Sequence, residues 1–91
     1  MDACVNAQER AAIRDIRGYA SANRIEYAPH ALLRMRQRNV GRVDVQTALT
    51  AARLCVVQMN GRYKVTGPDF DGDDLDLVVI IEDGVLVVTL F

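Results

Sequence analysis

"LDLVVIIEDGVLVVTLF", residues 75–91, is the stretch on which the fold turns. Two runs rich in valine, leucine and isoleucine stand on either side of Asp83-Gly84. Such side chains fit a pleated surface, and Asp-Gly supplies the positive φ values that a tight hairpin needs. The runs are almost continuously apolar, so both strands are expected at the centre of a sheet or covered on both faces. The longest unbroken apolar run, 77–81, is far short of the roughly 20 residues that a membrane-spanning helix requires.

The same signal occurs once more upstream. "LCVVQM" (54–59) and "RYKVTG" (62–67) flank Asn60-Gly61, and a two-residue hairpin turn is expected there. Alternation puts Arg62 and Lys64 on one face of the second strand, with Tyr63 and Val65 on the other. The same alternation in the last strand places Thr89 with Val87 and Phe91. Between the hairpins "PDFDGDD" (68–74) reads as a polar loop with its own Asp-Gly turn. It is not a calcium loop. Counting from Asp69, the glycine falls fourth where an EF-hand needs it sixth, and Ile80 stands twelfth where a glutamate is needed. A solubilising loop, or a patch for a basic partner, fits better.

Before residue 54 the apolar period is helical. Val45, Ala48, Leu49 and Ala52 form one stripe, with Gly41 at the cap and Asp44 near the positive end of the dipole. Pro29 suits the first turn of a preceding helix ending at Arg38 or Asn39. "RIEY" (24–27) alternates and reads as a short strand. Asn6 and Glu9 form a capping box, after which Ala12, Ile13, Ile16 and Ala20 recur at helical spacing. This first helix, about 6–22, is expected on the outside of the domain. The order implies one α+β domain over 1–91, with helices packed on an antiparallel sheet of about four to five strands.

The composition is globular, and the net charge of −1 conceals a strong polarity. Residues 1–64 hold all eleven Lys and Arg against five acids, and 65–91 hold seven acids and no base. Indiscriminate nucleic-acid binding is disfavoured, yet one basic face is allowed. Cys4 and Cys55 form no CxxC motif and are expected reduced, with Cys55 a small core residue. One histidine and two scattered cysteines do not make a zinc site. The N-terminus lacks a cationic start followed by an apolar block, so a cytoplasmic location is expected.

The lone histidine heads "YAPHALLRMRQRNV" (27–40). His30, Arg34 and Arg38 are four residues apart, so at about 100° per residue they share a sector of roughly 80°. Ala31, Leu32 and Met35 occupy the neighbouring sector, and the stripe therefore borders the buried side. A neutral imidazole can accept a proton. Guanidiniums can hold a phosphodiester. These are parts needed to cleave RNA without a metal or cofactor, together with an acid for the leaving oxygen. The same spacing also serves a wet helix face whose arginines pair with the acids of 69–76.

Residues 24–91 resemble a bacterial family of unassigned domains with the pattern Y-x-x-H-A-x-x-R-M-x-x-R, then D-V-x-x-A-L, G-R-Y-[RK]-V-x-G and V-V-T-[VL]-[YF]. Here these are Tyr27 to Arg38, Asp44 to Leu49, Gly61 to Gly67 and Val87 to Phe91. That family is grouped with the RelE-like and BrnT-like toxins of toxin–antitoxin systems. The resemblance implies a RelE-like domain with an extra N-terminal helix, metal-independent RNA cleavage, RNA (including ribosome-bound mRNA) as partner, and a cognate antitoxin. It implies His30, Arg34 and Arg38 as catalytic residues and Arg62, Tyr63, Lys64 and Thr89 as RNA contacts. Phe91 departs from it: where the family often closes on tyrosine, this chain has no hydroxyl. A degenerate toxin acting as a protein-binding or regulatory module is the alternative, and a homodimer paired through the last strand is a third possibility.

Overall fold

The computed structural model describes residues 6–91. Cys4 lies outside them. Three helices, α1 (Ala7–Ser21), α2 (Pro29–Arg38) and α3 (Arg42–Thr50), pack on one five-stranded sheet. The strands are β1 (Ile25–Tyr27), β2 (Leu54–Val57), β3 (Arg62–Pro68), β4 (Asp74–Ile81) and β5 (Val85–Leu90). Their spatial order is β1-β5-β4-β3-β2. The two apolar runs of 75–91 thus lie at the centre and beside it, as their composition requires. All pairings are antiparallel except β1 with β5, which run parallel in the register Ile25↔Val85. No helix among the described residues is long and apolar enough to cross a membrane.

One face of the sheet is buried under the helices. Cys55, Val65, Leu77, Val79 and Val87 are fully buried there against Ile13, Ile16, Val45 and Leu49. Each such side chain contributes about 1.5–3 kcal/mol relative to exposure. The first helix is therefore not an outer addition. It buries Ile13, Ile16 and Ala20 completely, because β2 and β3 present an apolar face that α3 alone does not cover. Arg17 donates from Nε to the Ala52 carbonyl (2.9 Å), and Gln46 Nε2 donates to the Ala20 carbonyl (3.2 Å), which ties α1 to α3 and its exit.

Asn6 caps α1 as expected, its Oδ1 accepting from Glu9 N–H at 2.8 Å. Glu9 does not complete the box. It is buried, and its Oε2 accepts from Val57 N–H at 2.9 Å. Val57 belongs to the edge strand β2, so the carboxylate occupies an outward N–H that would otherwise recruit another strand. Asp44 does reach back, its Oδ2 accepting from Gly41 N–H at 2.9 Å, and Asn39 ends α2 in the left-handed conformation.

Both hairpin turns fall where the dipeptides place them, but the connections run to four residues, 58–61, and three, 82–84, where two were expected. A 3-10 turn, Met59–Gly61, carries positive φ at Asn60 and Gly61, with Gln58 N–H donating to the Arg62 carbonyl. Asp83 and Gly84 take positive φ in the 82–84 connection, where Glu82 N–H donates to the Gly84 carbonyl. In the loop between the hairpins, the Asp69 carboxylate accepts from the amides of Asp71 and Asp73. That carboxylate holds the turn, and no group of acids, histidines and cysteines among the described residues could hold a metal ion.

Candidate functional site

The site is built where α2 meets the end of β5. β1 pairs with β5 only over residues 85–87. Chain then turns directly from Tyr27 through Ala28, whose N–H donates to the Val87 carbonyl, into α2. Ala31 and Met35 bury one side of that helix. Arg34 Nε donates to the Leu90 carbonyl at 3.2 Å. α2 is thereby fixed against the stretch of β5 that β1 leaves without a strand partner, and β5 is not a free pairing edge over 85–87.

His30 is exposed in the first turn of α2, one turn before Arg34. Neither it nor Arg38, also exposed, has a hydrogen-bonding or ionic partner among the described residues. The expectation that the α2 arginines pair with acids of 69–76 is not met. Asp74 pairs with Arg53, Asp76 accepts from Thr66 Oγ1, and Asp69 holds its own turn. The stripe thus keeps its imidazole and one guanidinium open to solvent, while Arg34 is half-buried and committed in part to main chain.

The second group of residues lies on the sheet face that carries no helix. Strand register aligns Val56, Lys64, Val78 and Thr89 in one row across β2, β3, β4 and β5. A register shift between Val78 and Val79 inserts an extra residue in β5. Simple alternation would put Thr89 on the same face as Val87. After the bulge, Leu90 is fully buried on the helix side opposite Leu77, and Thr89 turns to the open face beside Lys64's row. Phe91 follows, half exposed, with its N–H donating to the Asp76 carbonyl. Lys64 Nζ sits 5.6 Å from the centre of the Phe91 ring, within reach of a cation–π contact.

Arg62 shares the open face two residues along β3, exposed and without a partner among the described residues. Tyr63 is parted from both cations. It points to the helix side, packs against the core and accepts at its hydroxyl from Gln8 Nε2 (3.2 Å), so it is a packing residue under α1. Arg34 meets the main chain at Leu90, between Thr89 and Phe91, and Lys64 meets the Phe91 ring, while His30 lies one turn from Arg34 and touches none of them. The structure sets Tyr63 apart and leaves Arg62 on the rim.

Tyr27 was not singled out for chemistry. It is half-buried, and the Arg42 guanidinium lies 4.7 Å over its ring. Burial raises the phenol above its ordinary value of 10.0, with Arg42 working the other way. The pair links β1 to the start of α3 and lies on the helix side of the sheet, away from Lys64. No family model, curated protein or solved structure matches this chain.

Proposed function

We propose that this chain is a metal-independent endoribonuclease of the RelE-like and BrnT-like toxin kind, acting on RNA in the cytoplasm and restrained by a cognate antitoxin protein. One arrangement supports this reading: an exposed, unpartnered His30 stands one turn from Arg34, which is tied to the strand end bearing Thr89 and Phe91 beside Lys64. In this mechanism His30 takes the proton of a ribose 2′-hydroxyl. The freed oxygen bonds to the adjacent phosphorus and the bond to the 5′-oxygen breaks, leaving a 2′,3′-cyclic phosphate. Solvent protonates the leaving 5′-oxygen, because Phe91 has no hydroxyl to offer. Arg34, Arg38 and Lys64 offset the charge that gathers on the phosphate, and Arg62 extends the track for the strand. Phe91 offers a face on which a base can stack.

Purified protein is expected to cut a single-stranded RNA, alone or with ribosomes, equally well with and without a chelator. His30→Ala should slow cleavage by about 10²–10⁴-fold, the range for a lost general base. Cleavage at the wild-type rate by that variant would remove the imidazole from the mechanism. Phe91 and the commitment of Arg34 to a carbonyl favour the second reading, a non-enzymatic binding module. Its signature is partner binding that survives loss of His30 in a protein that cuts no RNA.

A further inference from the structure

Away from the β5 end, the opposite side of α2 and the start of α3 enclose a groove of about 810 Å³. Its floor is apolar, with Leu32, Leu33, Met35 and Val40, and Arg36 and Arg42 stand at its rim. Leu32 and Leu33 are 38% and 43% exposed, unusual for adjacent leucines on a surface helix. Among the described residues no carboxylate lines the groove, although the chain carries twelve. An occupant must therefore bring an apolar side chain together with negative charge.

The chain itself carries that combination. Phe70 is 68% exposed at the tip of the acidic loop, flanked by Asp69 and by the exposed Asp71 and Asp73, neither of which has an ionic partner among the described residues. The main chain at Phe70 is held in place, its N–H donating to Asp44 Oδ1 at 3.1 Å. The other oxygen of the same carboxylate accepts from Gly41 N–H, and Gly41 lines the groove. One side chain therefore fixes knob and groove at the same end of the molecule. Their closeness matters for symmetry. A two-fold axis passing between them lets each copy insert its Phe70 into the groove of the other, which closes the assembly at two chains.

We infer that this face docks a second copy of the chain, with Phe70 of each copy seated among Leu32, Leu33 and Met35 of the other and Asp71 and Asp73 against Arg36 and Arg42. The groove does not include His30 or Lys64, and the inference stands whether or not the protein cuts RNA.

Sedimentation equilibrium from about 1 µM to about 1 mM is the test, a range covering weak and moderate self-association. The mass should rise from the 10.1 kDa of one chain toward twice that value. Phe70→Ala removes the knob, and Leu33→Asp with Arg36→Glu spoils the groove. Both involve exposed side chains, and circular dichroism should show each variant folded as wild type. Each alone should stay monomeric. Mixed together they should associate, because the intact groove of one still accepts the intact knob of the other. The mixture keeps one of the two contacts and should associate more weakly than wild type but more than either variant alone; a wild type that remains monomeric, or a dimer indifferent to both variants, would overturn the inference.

Discussion

Tyr27 shows how one side chain can report on the fold. Its phenol lies half-buried on β1 beneath Arg42, and burial raises its proton affinity in the folded state. In the unfolded chain the proton leaves near the ordinary value of 10.0. Above that pH the unfolded state binds fewer protons than the folded one, so the stability Tyr27 contributes is present below about pH 10 and is lost as pH rises through the folded value. Tyr27→Phe keeps the ring under Arg42 and removes the ionisation. Urea midpoints from about pH 8 to about pH 11 should decline less steeply for that variant than for wild type. Equal slopes would mean that burial of the phenol carries no linkage. Glu9 makes a related point about what a sequence can disclose. Asn6 and Glu9 spell a capping box, yet the carboxylate serves an amide 48 residues away. Local spacing can show that a carboxylate is available. It cannot show which distant donor will outbid the local one, because that depends on where β2 is laid down.

At the level of elements, the approach of α3 to β3 sets the tightest steric demand. A Cβ on Gly67 would stand 2.0 Å from the Ala48 carbonyl oxygen, so the strand can pass beneath the helix only without a side chain there. Gly67→Ala should cost about 3 kcal/mol, at the upper end for overpacking, read as a lower denaturation midpoint. Gly18→Ala should have the opposite sign. It lies inside α1, a Cβ there meets nothing within 4 Å, and alanine should add about 0.5–1 kcal/mol. The contrast of sign, measured side by side, separates a packing glycine from a merely tolerated one. Of the elements themselves, much was legible. Asn60-Gly61 and Asp83-Gly84 mark real turns because positive φ is a local requirement, and Pro29, Asn39 and Gly41 bound α2 and α3 for similarly local reasons. The parallel pairing of β1 with β5 was not legible, since three residues carry too little pattern to name a partner 60 positions on. The bulge that turns Thr89 toward Lys64 was hidden too, in a run of apolar residues where alternation gives no phase. The stripe of His30, Arg34 and Arg38 could be read from spacing. Its meeting with the end of β5 depends on α2 lying against a strand more than 50 residues later.

For the whole molecule, the polarity of the chain becomes a question of where its cations stand. A net charge of −1 gives RNA no general attraction, so the proposed ribonuclease reading requires binding through the local field of Arg34, Arg38, Arg62 and Lys64. Three other basic residues are engaged elsewhere: Arg53 and Arg24 pair with Asp74 and Asp83, and Arg17 holds the Ala52 carbonyl. Among the acids of the last third, Asp69 holds its own turn and Asp83 pairs with Arg24, whereas Asp76 stands on the open face of β4 two residues from the Lys64 row, where it accepts from Thr66 Oγ1 and offsets part of the local field. Each phosphate neutralised on a single strand releases counterions, with a contribution of about −0.7 to the slope of log affinity against log salt. Four contacts give an expected slope of about −3, and Lys64→Gln should make it shallower by about 0.7 while weakening binding to all sequences alike. Fluorescence anisotropy of a labelled single-stranded RNA between about 50 mM and about 200 mM salt measures both quantities. A slope near zero, or one that Lys64→Gln leaves unchanged, would mean that the open face does not carry the strand. Arg36→Glu serves as the control, since Arg36 faces the groove on the other side of α2 and should leave the slope as it was.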